Sequence, residues 1–113
     1  MTDYQEQLTE IKANNQKLFA SAGAAGNGFR QLHREAIQAG ALDSKTKELQ
    51  AIAISVAMRC EGCIVQHVKS ALKLGASRDE LVETINVAIM MGGGPATVYG
   101  GKALACADEF FQK

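Results

Sequence analysis

Residues 49–75 decide the fold, and they read LQAIAISVAMRCEGCIVQHVKSALKLG. The stretch from Leu49 to Met58 is apolar around most of a helical circumference, and a second helical segment begins near Cys60 or Glu61 and stops at Gly75. Neither segment alternates between apolar and polar residues with the period of two that a half-buried strand requires. The sequence therefore predicts two consecutive helices joined next to a pair of cysteines.

The rest of the chain also reads as helices, so we predict an all-α fold of about six helices. The first two are separated by the glycine-rich run from Gly23 to Gly28, and the second carries an apolar stripe that includes Phe29 and His33. Asp43 and Ser77 are typical N-caps, and Ser77 opens a capping box. The expected segments cover about residues 4–19, 29–37, 44–59, 60–75, 77–91 and 95–111.

The composition indicates one globular domain, which we expect to span residues 1–113. Twelve Lys and Arg residues balance twelve Asp and Glu residues, so the chain lacks the basic excess that binds nucleic acid or an anionic membrane. No apolar run approaches the ~20 residues of a membrane helix. The N-terminal residues are polar and do not resemble a secretory leader, so we expect a cytoplasmic protein.

Two helices are too apolar for one short chain to cover. The stretches Leu49 to Met58 and Leu81 to Met91 are apolar on most sides, and such a helix must be covered on all sides. The neighbouring helices can cover one of them but hardly both. We therefore expect a homo-oligomer that buries part of these helices between subunits. The alternative is a single central hairpin wrapped by the remaining helices.

Two thiols and an imidazole share one face of the helix that begins near Cys60. At about 100° per residue, Cys60, Cys63 and His67 fall within roughly a 60° arc. His67 lies one turn beyond Cys63, where a base can convert the thiol into the reactive thiolate. A second thiol one turn earlier can resolve the oxidised species that forms. The spacing therefore indicates a thiol-based redox site.

A carboxylate on the preceding helix is a candidate partner for this histidine. Three polar residues lie within about 40° of one another around an otherwise apolar helix: Glu48, Ser55 and Arg59. A continuous helix would separate Glu48 from Cys60 by about 18 Å. Either the chain breaks near Cys60 and folds back, or the carboxylate comes from another subunit. A third interpretation is that Glu48 is a solvated first-turn residue favoured by the helix dipole.

The cysteines admit other interpretations. A zinc site would take three ligands from this helix, Cys60, Cys63 and His67. No fourth ligand is evident, because we expect His33 to be a core histidine distant from them. The pair could instead be purely structural. Cys106 shares an apolar stripe of the last helix and is expected to be a buried structural thiol.

Three stretches together resemble a known family. They are LDSKTKEL from Leu42 to Leu49, RCEGC from Arg59 to Cys63 followed by His67, and GASRDE from Gly75 to Glu80. They resemble the alkylhydroperoxidase D-like branch of the carboxymuconolactone decarboxylase superfamily, over about residues 42–110. The combination Glu-x11-Cys-x2-Cys-x3-His is far more specific than Cys-x-x-Cys alone.

The resemblance implies an all-α fold assembled as trimers or hexamers, with thiol-dependent peroxidase or disulfide-reductase chemistry and without haem or metal. Carried over by position, Cys63 would be the peroxidatic nucleophile and Cys60 the resolving thiol. Glu48 and His67, helped by a bridging water, would form the proton relay that deprotonates Cys63. The implied partners are a small-molecule peroxide and a dithiol reductant, such as a lipoyl domain or a thioredoxin-like protein.

Two other functions compete with this one. A lactone decarboxylase is the alternative enzyme, although the resemblance implies that this branch lacks the cysteine pair. The third candidate is a non-enzymatic redox-sensing oligomer whose disulfide changes its assembly.

Helix-dipole reasoning alone favours Cys60, which lies nearer the helix N-terminus, as the more acidic thiol. The resemblance and the proximity of His67 favour Cys63 as the nucleophile.

Overall fold

The structure is a computed structural model that describes residues 3–112. These residues form five α-helices and no strand, which confirms the all-α prediction. Met1 and Thr2, at the start of the polar N-terminal stretch, and Lys113 lie outside the described residues. No helix within residues 3–112 has both the length and the hydropathy of a membrane span. The helices are α1 (Tyr4–Ile37), α2 (Ser44–Ala57), α3 (Glu61–Lys73), α4 (Arg78–Gly92) and α5 (Gly94–Phe111).

The prediction of six helices is wrong by one, because the glycine-rich run kinks α1 without ending it. Only Gly23 departs from helical backbone angles, with φ 62° and ψ −142°, a conformation that a residue with a Cβ rarely adopts. A straight helix would separate Phe19 from Phe29 by about 15 Å. Their rings instead stack with centroids 6.1 Å apart, so the second half of α1 folds back along the first.

Short polar side chains begin the helices where the sequence predicts them. Asp43 accepts a hydrogen bond from the backbone N–H of Thr46 at the start of α2. Ser77 and Glu80 form the complete capping box at the start of α4. Each such cap stabilises its helix by about 1 kcal/mol. The chain therefore enters α2 and α4 at fixed points, which sets where the side chains of those helices face.

The core lies between α2, α3, α4 and α5, and the first turns of α1 close one side of it with Tyr4 and Leu8. Glu109 of α5 accepts hydrogen bonds from the backbone N–H groups of Tyr4 and Gln5, which fixes the start of α1. A fully buried side chain of the size found here stabilises the fold by about 1.5–3 kcal/mol. The largest fully buried side chains are Ile52, Val56, Ile64, Val65, Val68, Leu81 and Cys106.

A single chain leaves a large apolar surface uncovered. Met90 and Met91 of α4 are 73% and 76% exposed, and Ile54 of α2 and its C-cap Met58 are also exposed. These are the two helices that the sequence marks as too apolar for one chain, and the homo-oligomer stays a prediction.

The apolar stripe of the second half of α1, which the sequence predicts to place His33 in the core, is exposed instead, so that prediction is wrong. Its exposed members include Phe29, Leu32 and His33. Tyr4 and Leu8 at the start of α1 do lie in the core.

Candidate active site

A tight turn between α2 and α3 sets the position of the cysteines. Arg59 has a positive φ of 59°, and its backbone N–H donates to the carbonyl of Val56. The N–H of Cys60 donates to the carbonyl of Ser55, which completes a Schellman motif with Arg59 at the position that glycine usually occupies. The chain therefore breaks next to Cys60 and folds back, one of the two arrangements that the sequence left open. Arg59 is exposed in this turn and is not part of α2.

Cys60 and Cys63 form a disulfide across the first turn of α3. Cys60 is the N-cap, and its Sγ accepts a hydrogen bond from the backbone N–H of Cys63 at 3.3 Å. Both residues are half-buried. The unpaired N–H groups of a helix N-terminus favour negative charge, so this position favours the thiolate form once the pair is reduced.

Glu48 holds His67 from the neighbouring helix of the same chain. The Nδ1–H of His67 donates to Oε1 of Glu48 across 2.6 Å, because an ionised carboxylate can only accept. The Glu48 side chain is only 6% exposed, so it is not the solvated first-turn residue of the third interpretation. With Nδ1 engaged, Nε2 is the nitrogen of His67 that remains able to exchange protons.

The helical repeat of α3 brings this histidine to the cysteine pair. His67 and Cys63 are four residues apart on α3, a spacing that puts their Cβ atoms about 5–6 Å apart on one face. The His67 side chain is 23% exposed. Cys60, Cys63 and His67 thus follow one another along α3, and Glu48 of α2 contacts the His67 end of this row.

The placement predicted for His33 is wrong. The sequence places it in the core and far from the cysteines, whereas the structure leaves it exposed, with its ring against that of His67. The two ring centroids are 6.1 Å apart and the ring planes are tilted by 37°. No signal in the sequence marks this contact, because it depends on the reversal of α1 at Gly23.

Cys106 is buried in the core, as predicted. Its side chain is fully inaccessible and carries a free thiol. Burial, with a smaller contribution from the charge of Glu109, raises the pKa of the Cys106 thiol to about 12. The thiol is therefore neutral near pH 7 and is not a nucleophile.

The surface between α1 and the start of α3 carries a cleft near the cysteine pair. The cleft is shallow and has a volume of about 400 Å³. Glu61 and Gly62, the two residues between the cysteines, form part of its wall. Within residues 3–112, no three His, Cys, Asp or Glu side chains are arranged to hold a metal ion. The disulfide-forming pair at the start of α3, with His67 one turn beyond Cys63, is suited to thiol chemistry.

A family comparison agrees with the fold and the motif. The sequence model of the carboxymuconolactone decarboxylase family matches residues 23–109. This match covers well over half of the chain. The chain belongs to the carboxymuconolactone decarboxylase family. The resemblance at the level of this superfamily is therefore confirmed, and the match extends towards the N-terminus beyond the motifs that begin at Leu42.

Members of the carboxymuconolactone decarboxylase family with solved structures share the whole architecture. A family protein from Legionella pneumophila is 40% identical, with a TM-score of 0.91 over 95% of this chain and 96% of that one. A family protein from Thermotoga maritima, for which a part in an antioxidative response has been suggested, is 26% identical. Its TM-score is 0.86 over 93% of this chain and 90% of that one.

Relatives in sequence also cover most of the chain. An uncharacterised protein of Cupriavidus necator is 38% identical over 107 residues, which is 95% of each chain. An uncharacterised protein of the cox locus of Paracoccus denitrificans is 40% identical over 89 residues, or 78% of this chain and 80% of that one. The similarity therefore extends along the chain rather than being confined to the cysteine motif.

Proposed function

We propose that this carboxymuconolactone decarboxylase family protein is a thiol peroxidase of the alkylhydroperoxidase D-like type. In this proposal the Cys60–Cys63 pair cycles between dithiol and disulfide as it reduces alkyl hydroperoxides. The observation that carries the proposal is the buried Glu48 carboxylate bound to His67, one turn from a cysteine pair at a helix N-terminus. The antioxidative part suggested for the Thermotoga maritima relative supports it.

The proposed cycle begins with ionisation of Cys63. Nε2 of His67 takes the thiol proton, directly or through a water, while Glu48 holds Nδ1–H and stabilises the imidazolium that forms. The Cys63 thiolate attacks the terminal oxygen of the hydroperoxide, and the O–O bond breaks. The departing alkoxide takes the proton from His67 and leaves as an alcohol, with Cys63 oxidised to sulfenic acid.

Resolution and reduction complete the proposed cycle. The Cys60 thiol attacks the Cys63 sulfenic acid, a disulfide forms and water leaves. An external dithiol then reduces the Cys60–Cys63 disulfide by exchange and becomes a disulfide itself. Cys63 is assigned as the nucleophile because it lies one turn from His67, whereas Cys60 lies nearly two turns away.

The proposed partners follow from the surroundings of the pair. The cleft of about 400 Å³ is lined in part by Glu61 and Gly62, the two residues between the cysteines. In this proposal it receives a small peroxide or a dithiol reductant, such as a lipoyl group or a thioredoxin-like protein. The proposed assembly is a cytoplasmic homo-oligomer, a trimer or hexamer, because burial between subunits would cover Met90 and Met91.

One equivalent of cumene hydroperoxide is expected to remove two of the three thiols of the reduced protein, counted with a thiol reagent after unfolding. Cys106 is the thiol expected to survive, because its raised pKa of about 12 keeps it protonated in the folded chain. Added dihydrolipoamide or dithiothreitol should then sustain repeated consumption of peroxide.

Two outcomes of the thiol count would contradict the proposal. A count that stays at three would show that the peroxide does not oxidise the pair. Loss of two thiols without sustained turnover by any dithiol, together with a redox-dependent change of mass in light scattering, would identify a redox-sensing oligomer instead. Reduced protein that has received no peroxide, unfolded in the same way, is the control and should give all three thiols.

A further inference from the structure

We propose that Glu10 and Glu61 make this site selective for reductants that carry no negative charge. The inference rests on the proposed function and deepens it, because it names the class of dithiol that reduces the Cys60–Cys63 disulfide. A neutral dithiol is favoured over an otherwise identical anionic one. The two glutamates act on the approaching molecule and not on the sulfur atoms, and the reduction step can be tested without any peroxide.

One face of α1 forms a wall of the cleft near the cysteine pair. Gln7, Glu10, Ile11 and Asn14 follow one another at intervals of three, one and three residues, which places them on the same face of the helix. A Cβ built on Gly62 would lie 3.5 Å from Cδ1 of Ile11, so this face packs against the backbone between the two cysteines. The cleft therefore adjoins the segment that carries the disulfide.

The charged side chains that line this cleft have one sign. Among the described residues of its lining, Glu10 and Glu61 carry carboxylates, and there is no lysine, arginine or histidine. The remaining side chains are two amides, from Gln7 and Asn14, and the half-buried Ile11. Glu10 is exposed and the Glu61 side chain is 41% exposed, and a carboxylate in water is ionised near neutral pH. An anion that enters the cleft therefore meets two like charges.

One cation offsets part of this negative charge. Nζ of Lys102 on α5 lies 3.8 Å from Oε1 of Glu61, which is longer than a hydrogen bond, and the Lys102 side chain is 36% exposed. An exposed ion pair of this kind is weak and is screened by water. Lys102 is also a single charge against two carboxylates, so the surface around the cleft keeps a net negative charge.

Glu61 has a second role that the test must separate from selection by charge. It is the first residue of α3, where the helix dipole favours a carboxylate. Loss of this effect alone would change the reaction of the disulfide with every dithiol in the same proportion. Selection by charge depends on the incoming molecule instead. The ratio of the rates of two dithiols is therefore the quantity to measure.

The test compares dihydrolipoamide with dihydrolipoate, which share one dithiol and differ in a terminal amide or carboxylate. In both reactions a thiolate of the reductant attacks the Cys60–Cys63 disulfide, the reductant closes to its own cyclic disulfide, and both cysteines become thiols. The appearance of these thiols in the oxidised full-length protein at low salt is followed by alkylation and mass spectrometry. The same pair of rates on hydroxyethyl disulfide corrects for the intrinsic reactivity of the two reductants.

Dihydrolipoamide is expected to reduce the protein about 3–10-fold faster than dihydrolipoate, because like charges a few Å apart repel only modestly through water. This preference should shrink in about 0.5 M salt. Glu10→Gln combined with Glu61→Gln should bring the corrected ratio close to one. Glu83→Gln, the same change at an exposed glutamate of α4, should keep the wild-type ratio, and Lys102→Gln should raise it.

A corrected wild-type ratio of one would overturn the inference, and so would a preference that the double variant retains. If Glu61→Gln changes both rates equally, Glu61 has only its role at the start of α3, and the inference is again overturned. Failure of the proposed function appears separately, as a reduced wild-type protein whose cysteine pair is not oxidised by hydroperoxide.

Discussion

Cys63→Ser is expected to abolish peroxide reduction, with kcat/KM for cumene hydroperoxide falling by a factor on the order of 10³ or more. A serine hydroxyl does not ionise near neutral pH and cannot be oxidised to a sulfenic acid, so the first step of the cycle is lost. Cys63 lies on the surface of α3 in the half-buried first turn, and a serine fits there without a cavity. The measurement is peroxide consumption in the presence of dihydrolipoamide.

Two further variants show whether this loss is specific to Cys63. Without added dithiol, Cys60→Ser should still consume one equivalent of peroxide but should form no disulfide within the chain, because the resolving thiol is gone and the sulfenic acid stays on Cys63. Cys106→Ala should retain turnover, since this thiol is neutral and buried away from the pair. Undiminished turnover by the Cys63→Ser variant would contradict the proposed function and would favour chemistry that does not use the thiol, such as a lactone decarboxylase.

Glu48→Gln is expected to raise the pH at which Cys63 reacts with iodoacetamide and to slow peroxide reduction at pH 7 by roughly 10–100-fold. The carboxylate is the nearest charge to His67, at 2.6 Å, and it stabilises the imidazolium that forms when the ring takes the thiol proton. A neutral amide removes this stabilisation, so a higher pH is needed to remove the same proton. The amide also has the size of the carboxylate, so the fold should be kept.

The control for Glu48→Gln is Glu83→Gln, which makes the same carboxylate-to-amide change at an exposed glutamate of α4. Its pH–rate profile should match that of the wild type. If Glu48→Gln also keeps the wild-type profile, Glu48 has no part in the activation of Cys63. Its buried contact with His67 would then serve only to hold α2 against α3.

The local part of the site was predictable from the sequence, and the long-range part was not. Cys60, Cys63 and His67 share one face because they belong to a single helix, whose repeat fixes their directions. The approach of Glu48 depends on the reversal between α2 and α3. That turn has Arg59 in the left-handed conformation, where a glycine would have marked the turn in the sequence.

The two errors in the fold have one origin. Three of the six residues from Gly23 to Gly28 are glycines, each with a helix-propensity penalty of about 1 kcal/mol, and this predicts a break there. Packing of Phe19 on Phe29 favours the helical path beyond Gly23, so the break is confined to one residue. The reversal then places His33 against His67 instead of in the core. The sequence could not predict this, because an apolar periodicity shows which face of a helix is apolar but not which part of the protein covers that face.

The most direct test of the central claim is trapping of the sulfenic acid on Cys63. The Cys60→Ser variant, reduced and then treated with one equivalent of cumene hydroperoxide in the presence of dimedone, is analysed by mass spectrometry of its peptides. We predict one dimedone adduct per chain, on Cys63, that is absent without peroxide. A variant that consumes no peroxide and carries no adduct on Cys63, or an adduct found on Cys106 instead, would contradict the assignment of Cys63 as the peroxidatic thiol.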